Sequence, residues 1–171
     1  MKKFNILLLV MVLAVALTGC IGQSKASSEA ASSSSQGTAA DAVLTRFDGQ
    51  KTSIKELYKD KPLYINFWAS WCGPCVNEMP NIDSLAQKYG DRINFAAISV
   101  DEEPGDAKAF VQRSGFSMSF YTGDNQLLGS AYGLSAIPVS ILVDKDGNII
   151  AKAVGGMSES DLEEFLQPAL K

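Results

Sequence analysis

At 171 residues the chain has room for one ordinary domain plus accessory segments. Its formal net charge of −4, with no basic patch, argues against a nucleic-acid partner. It contains no histidine, which removes His-dependent nucleophilic triads and imidazole metal sites together.

The N-terminus carries its own pattern. Lys2 and Lys3 form a charged n-region, and Phe4 to Leu17 form an apolar stretch interrupted only by Asn5. That length fits a signal h-region and is short for a membrane span of about 20 residues. Leu17-Thr18-Gly19-Cys20 resembles the lipobox of bacterial lipoproteins, which implies cleavage before Cys20 and a lipid on its sulfur. The expected division is therefore a signal peptide over 1–19, a lipidated Cys20 with its tether over 20–40, and one folded domain over 41–171. Loss of Lys2 and Lys3 would leave 13 basic against 19 acidic residues, a net charge of −6. The alternative is an uncleaved N-terminal anchor. On either reading the domain is expected outside the cytoplasm and tethered to the membrane. Lipidation also accounts for the odd count of three cysteines, because it leaves Cys72 and Cys75 as the free pair.

Ser24 to Ala40 is nearly all Ser, Ala, Gly and Gln, too polar to offset its ordering entropy, and reads as a flexible tether. Val43 to Phe47 is a first strand, ended by the turn signal Asp48-Gly49. Ser53 caps a short helix over Ile54 to Tyr58, with Glu56 counted one position short of a capping box. Leu63 to Trp68 has the length and β-rich composition of a buried strand. From Cys75 onward, Met79, Ile82, Leu85, Ala86 and Tyr89 recur at helical steps, with Pro80 expected to kink or re-start the helix and Gly90 at its stop. Ile93 to Val100 is another strand. Ala107, Phe110 and Val111 give one face of a helix ending near Gly115. Ser117 to Tyr121 reads as a short strand and Asn125 to Tyr132 as a short helix. Val139 to Val143 and Asn148 to Val154 form a hairpin about the turn Asp144-Lys145-Asp146-Gly147. The last helix starts at Ser158 and buries Leu162, Phe165, Leu166 and Ala169. Crossover units followed by a hairpin predict an α/β fold, a mixed sheet covered by helices on both faces.

Trp71-Cys72-Gly73-Pro74-Cys75 joins the buried strand to the helix after it. The amides and dipole at a helix N-terminus favour negative charge, so Cys72 there loses its proton more readily than a free thiol. Cys75, one turn later, is close enough to attack the Cys72 sulfur, so a disulfide opens and closes with little backbone movement. A static disulfide is poorly motivated, since so short a loop gains little entropy. Zinc needs two more Cys or His ligands, and a c-type haem needs His at position 76, which is Val.

Phe67 to Cys75, with Glu78 and Pro80, resembles the active-site block of the thioredoxin superfamily, in particular its membrane-anchored extracytoplasmic TlpA/ResA branch. The resemblance covers residues 41–171. It implies a thioredoxin fold with an inserted helix–strand unit within about 104–132, Cys72 as nucleophile and Cys75 as the resolving thiol. It implies that Glu78 assists proton transfer, against the plain alternative of a solvated helix carboxylate. Asn66 stands where cytosolic thioredoxins carry a buried Asp, so Glu78 or water takes over that proton. Ile137-Pro138 matches the cis-proline loop opposite the cysteines, although X-Pro bonds alone favour trans. Ile137 would pair with the substrate backbone, and Trp71 would cover the disulfide and offer an apolar contact. Trp68 and Phe67 read as core, and Gly155-Gly156 as a plain turn rather than a place for close substrate approach.

The expected function is a thiol–disulfide oxidoreductase that reduces disulfides of exported proteins, such as apocytochrome c or a surface methionine sulfoxide reductase. A membrane or soluble thiol donor would supply electrons to a monomer that needs no dissociable cofactor and no metal. Its rivals are a disulfide-forming oxidant, a non-catalytic binding lipoprotein on the same scaffold and, least favoured without histidine, a copper-delivery protein.

Overall fold

The computed structural model describes residues 39–171. The expected signal peptide, Cys20 and nearly all of the tether lie outside the described residues.

Thirteen elements follow in order: strands β1 (Val43–Arg46) and β2 (Lys51–Ser53), helix α1 (Ile54–Tyr58), β3 (Leu63–Trp68), α2 (Gly73–Tyr89), β4 (Asn94–Ser99), α3 (Pro104–Ser114), β5 (Ser119–Thr122), α4 (Asn125–Tyr132), β6 (Val139–Val143), β7 (Ile149–Val154), α5 (Glu159–Leu166) and a closing 3₁₀ turn (Gln167–Ala169). They build one seven-stranded sheet in the order β2-β1-β5-β4-β3-β6-β7. The β3–β4 and β4–β5 pairs are parallel, while β1–β2, β1–β5, β3–β6 and β6–β7 are antiparallel. This is the expected mixed sheet.

All six residues of β3 are buried, because neighbours flank it and helices cover both faces. Alternation then sorts its side chains. Tyr64 and Trp68 join the core under α2, α3 and α5, with Met79, Ile82, Leu85, Ala107, Leu162 and Leu166. Leu63, Ile65 and Phe67 join the opposite core under α1 and α4, with Ile54 and Leu128. Asn66, at 0% exposed, shares the α2 side with Tyr64 and Trp68.

Local chemistry explains the boundaries. Ser53 accepts the Glu56 amide at 3.2 Å and starts α1. Glu56 stands at the capping-box position itself, not one short of it, but its carboxylate turns to Lys59 at 2.7 Å. β2 escapes a reading by alternation because it is three residues long; it folds back on β1 around Gly49, whose φ is +94°. β5 begins at Ser119 rather than Ser117 because the Ser117 and Met118 amides both donate to Asp83 Oδ1 at 2.8 Å. α2 is not re-started at Pro80; one helix of 17 residues runs through it. At its end, Gly90 is required by space rather than by backbone angle: its φ is −63°, and a Cβ there would stand 2.6 Å from the Ala86 carbonyl oxygen. Ser158 caps α5 with a full capping box through Asp161.

Candidate active site

The site is built where β3 hands over to α2. The loop between them is held by Asp101, which follows β4. Asp101 Oδ2 accepts the Ser70 amide at 3.0 Å and Ser99 Oγ at 2.7 Å, while Oδ1 accepts the Ser70 hydroxyl at 2.5 Å. Asp101 was legible only as the end of a strand, since nothing in its neighbourhood points 31 positions back to Ser70.

Cys72 is the N-cap of α2, with an extended backbone, and its Sγ accepts the Cys75 amide at 3.3 Å. The two cysteines form a disulfide, with Cα atoms 5.3 Å apart. Cys72 is 6% exposed and Cys75 0%, so an incoming sulfur has access to Cys72 first. The same amide that holds the disulfide is placed to stabilise a Cys72 thiolate after reduction.

Glu78 stands one helical turn after Cys75 and is 3% exposed, so it is not a solvated carboxylate. Its Oε1 accepts Asn66 Nδ2 at 2.9 Å and its Oε2 accepts the Met157 amide at 3.0 Å. Burial pushes its pKa up, and the two hydrogen bonds pull back against that rise. Asn66 Nδ2 also reaches Ser140 Oγ at 3.4 Å, and Ser140 Oγ meets the Tyr64 hydroxyl at 2.8 Å. Burial raises the Tyr64 pKa as well, so that end of the network stays neutral. Among the described residues, Asn66 Oδ1 is buried with no hydrogen-bond partner. Residues 66 and 78 are therefore one unit. Ser140 and Met157 escape a sequence reading because each is a common residue brought in from a distant strand or loop.

The Ile137–Pro138 peptide bond is cis, as the family resemblance implied and X-Pro statistics did not. Val139, just after it, pairs with Phe67 of β3, which sets this loop beside the cysteine loop. The Pro138 carbonyl accepts the Gly155 amide at 2.9 Å. Trp71 is 71% exposed. With Ile137, Val100 and Leu134 it lines an apolar cleft of about 270 Å³. The structure thus brings Trp71 and Ile137 to one surface beside the cysteines. Phe67 and Trp68 are fully buried core.

A Redoxin family model matches residues 31–166. The chain is 33% identical to the thiol-disulfide oxidoreductase ResA of Bacillus thuringiensis over 126 residues, 73% of this chain and 72% of that one. A thiol:disulfide interchange protein of the thioredoxin family from Chlorobium tepidum superposes with a TM-score of 0.66 at 26% identity, covering 75% of this chain and 92% of that one. The exposed lipoprotein thioredoxin Etrx1 of Streptococcus pneumoniae shares the fold, with a TM-score of 0.65 at 24% identity over 74% and 97% of the two chains. With a disulfide at a helix N-terminus and this sheet order, the chain belongs to the Redoxin family, as a ResA-type thiol–disulfide oxidoreductase of the thioredoxin superfamily.

Proposed function

We propose that this oxidoreductase works outside the cytoplasm, lipid-anchored through Cys20, and reduces disulfides of exported proteins with electrons from a membrane or soluble thiol donor. The observation that carries the chemistry is the buried pair Cys75 and Glu78 on one face of α2, behind a more accessible Cys72. The direction is supported by Gly73-Pro74 between the cysteines, the pair found in reducing thioredoxins with potentials near −270 mV. The anchor is supported by the signal-like Phe4–Leu17 and the Leu-Thr-Gly-Cys sequence.

The cycle begins with Cys72 and Cys75 as thiols. The Cys72 thiolate attacks a substrate disulfide, which releases one substrate thiol and leaves a mixed disulfide. Glu78 takes the Cys75 proton, Cys75 attacks Cys72, and the second substrate thiol departs. Trp71 and Ile137 hold the substrate segment against the cleft, with Pro138 fixing the loop. An external dithiol then reduces the Cys72–Cys75 disulfide.

The deciding measurement is the reduction potential of the Cys72–Cys75 couple in the full chain, equilibrated against defined thiol buffers. A value of about −250 mV or lower fits the reductant, whereas about −120 to −180 mV turns the assignment toward disulfide formation. Cys75→Ser is expected to trap the mixed disulfide, which mass spectrometry reads as a covalent adduct. A Cys72→Ser chain with unchanged partner binding and phenotype would instead mark a scaffold.

A further inference from the structure

The Glu78 carboxylate is walled on most sides. Asn66 of β3 closes on Oε1, with Ser140 of β6 and Tyr64 behind it, and the Met157 amide closes on Oε2. Beside Oε2 lies Gly156, an exposed residue next to a carboxyl that is 3% exposed. A Cβ on Gly156 would stand 3.5 Å from the Pro74 carbonyl oxygen, 3.7 Å from Pro74 Cβ and 3.8 Å from Glu78 Oε2. Those are ordinary contact distances, and the Gly156 backbone is outside the left-handed region, whereas Gly155 has a φ of +99°. Neither strain nor crowding requires glycine at 156. Its effect is to leave no side-chain atom where a Cβ would stand 3.8 Å from Oε2.

We propose that Gly156 is a positioning residue for the proton-transfer step: its missing side chain is the port through which water exchanges protons with Glu78 between redox cycles. This rests on the reading that Glu78 takes the Cys75 proton. In the resolving step the Cys75 S–H bond breaks and its proton goes to Glu78. The freed electron pair forms the Cys75–Cys72 bond. The Cys72–substrate bond breaks, and its pair leaves on the substrate thiolate, which is protonated by water. The protein ends oxidised with Glu78 neutral, and while the disulfide stays closed that proton equilibrates with water at a rate set by access to the carboxyl, before the external dithiol reopens the pair and Cys75 takes a proton back. The Glu78 carboxylate touches Asn66 from the sheet and the Met157 amide from the loop, with Ser140 and Tyr64 behind Asn66 and the Cys72–Cys75 pair one turn earlier on its own helix. No salt bridge among the described residues involves Glu78. Access to water is therefore the free variable.

The test is carboxyl ¹³C NMR of glutamate-labelled full chain, disulfide closed so that no thiol titrates, in wild type, Gly156→Ala and Gly156→Val; Glu78→Gln assigns the resonance. Filling the port dries the carboxylate, so the Glu78 midpoint should rise from Gly to Ala to Val, by about half a pH unit or more for Val. The pH profile of disulfide turnover should move with it, and Glu78→Gln with Gly156→Val should show the profile of Glu78→Gln alone. Should Val disturb the loop, Ala carries the test, since its methyl group meets nothing closer than 3.5 Å. A midpoint that stays in place or falls overturns the port. A raised midpoint in a chain that turns over no disulfide at any pH supports the port as a water route and overturns the reductase reading instead.

Discussion

Glu78 illustrates how a single carboxyl takes its character from what covers it. Its pKa is raised by burial, so above the unfolded value of about 4.3 the native chain keeps a proton that the unfolded chain has lost. Native stability therefore falls as pH rises through the window between the unfolded and the raised folded value. Glu78→Gln removes that penalty, and Asn66 accommodates it by turning its unpartnered Oδ1 toward the new amide. Urea midpoints at pH 4, 6 and 8 should fall less with pH in Glu78→Gln than in wild type. Asp101 makes a different case. Asp101→Ala strands the Ser70 amide and hydroxyl, at a cost of about 3 kcal/mol by urea unfolding. It should also slow disulfide turnover, since the loop carrying Cys72 loses its tie. The cysteines and Glu78 were legible because their spacing lies within one local motif. Asp101, Ser140 and Met157 were not, because their partners lie 31, 74 and 79 positions away.

The elements show where local chemistry suffices. α4 and β6 lie within the bounds the sequence predicts, since Asp124 caps the first by accepting the Leu127 amide at 2.9 Å and the second is apolar and β-rich at every position but Ser140. The start of β5 was misplaced because the amides of Ser117 and Met118 are taken by Asp83, a contact between α2 and a loop 34 positions on. β2 is too short for periodicity to register. α5 depends on its cap: Ser158→Ala removes the hydroxyl that accepts the Asp161 amide and donates to its carboxylate, and should cost about 1 kcal/mol in thermal or urea unfolding. Its buried residues Leu162 and Leu166 pack in the same core as Cys75 and Met79, so a loosened α5 is felt behind the active-site helix.

At the scale of the molecule, the sheet order sets the site by placing β3 between β4 and β6. Asp101 arrives from one neighbour and Pro138 from the other, so the cysteine loop is braced from both flanks. If the tether and anchor work as proposed, Cys20→Ala should move the protein from the membrane to the soluble extracytoplasmic fraction, read by cell fractionation, with its disulfide chemistry intact. The braces also carry an order in time. Cys72 and Cys75 are made early, while the amide that binds Glu78 belongs to Met157 and the one that binds Pro138 belongs to Gly155. A growing chain therefore holds both sulfurs well before the carboxyl beside them is enclosed. A chain that stops short of Met157 thus keeps its thiols and Glu78 but lacks the amide that binds Oε2.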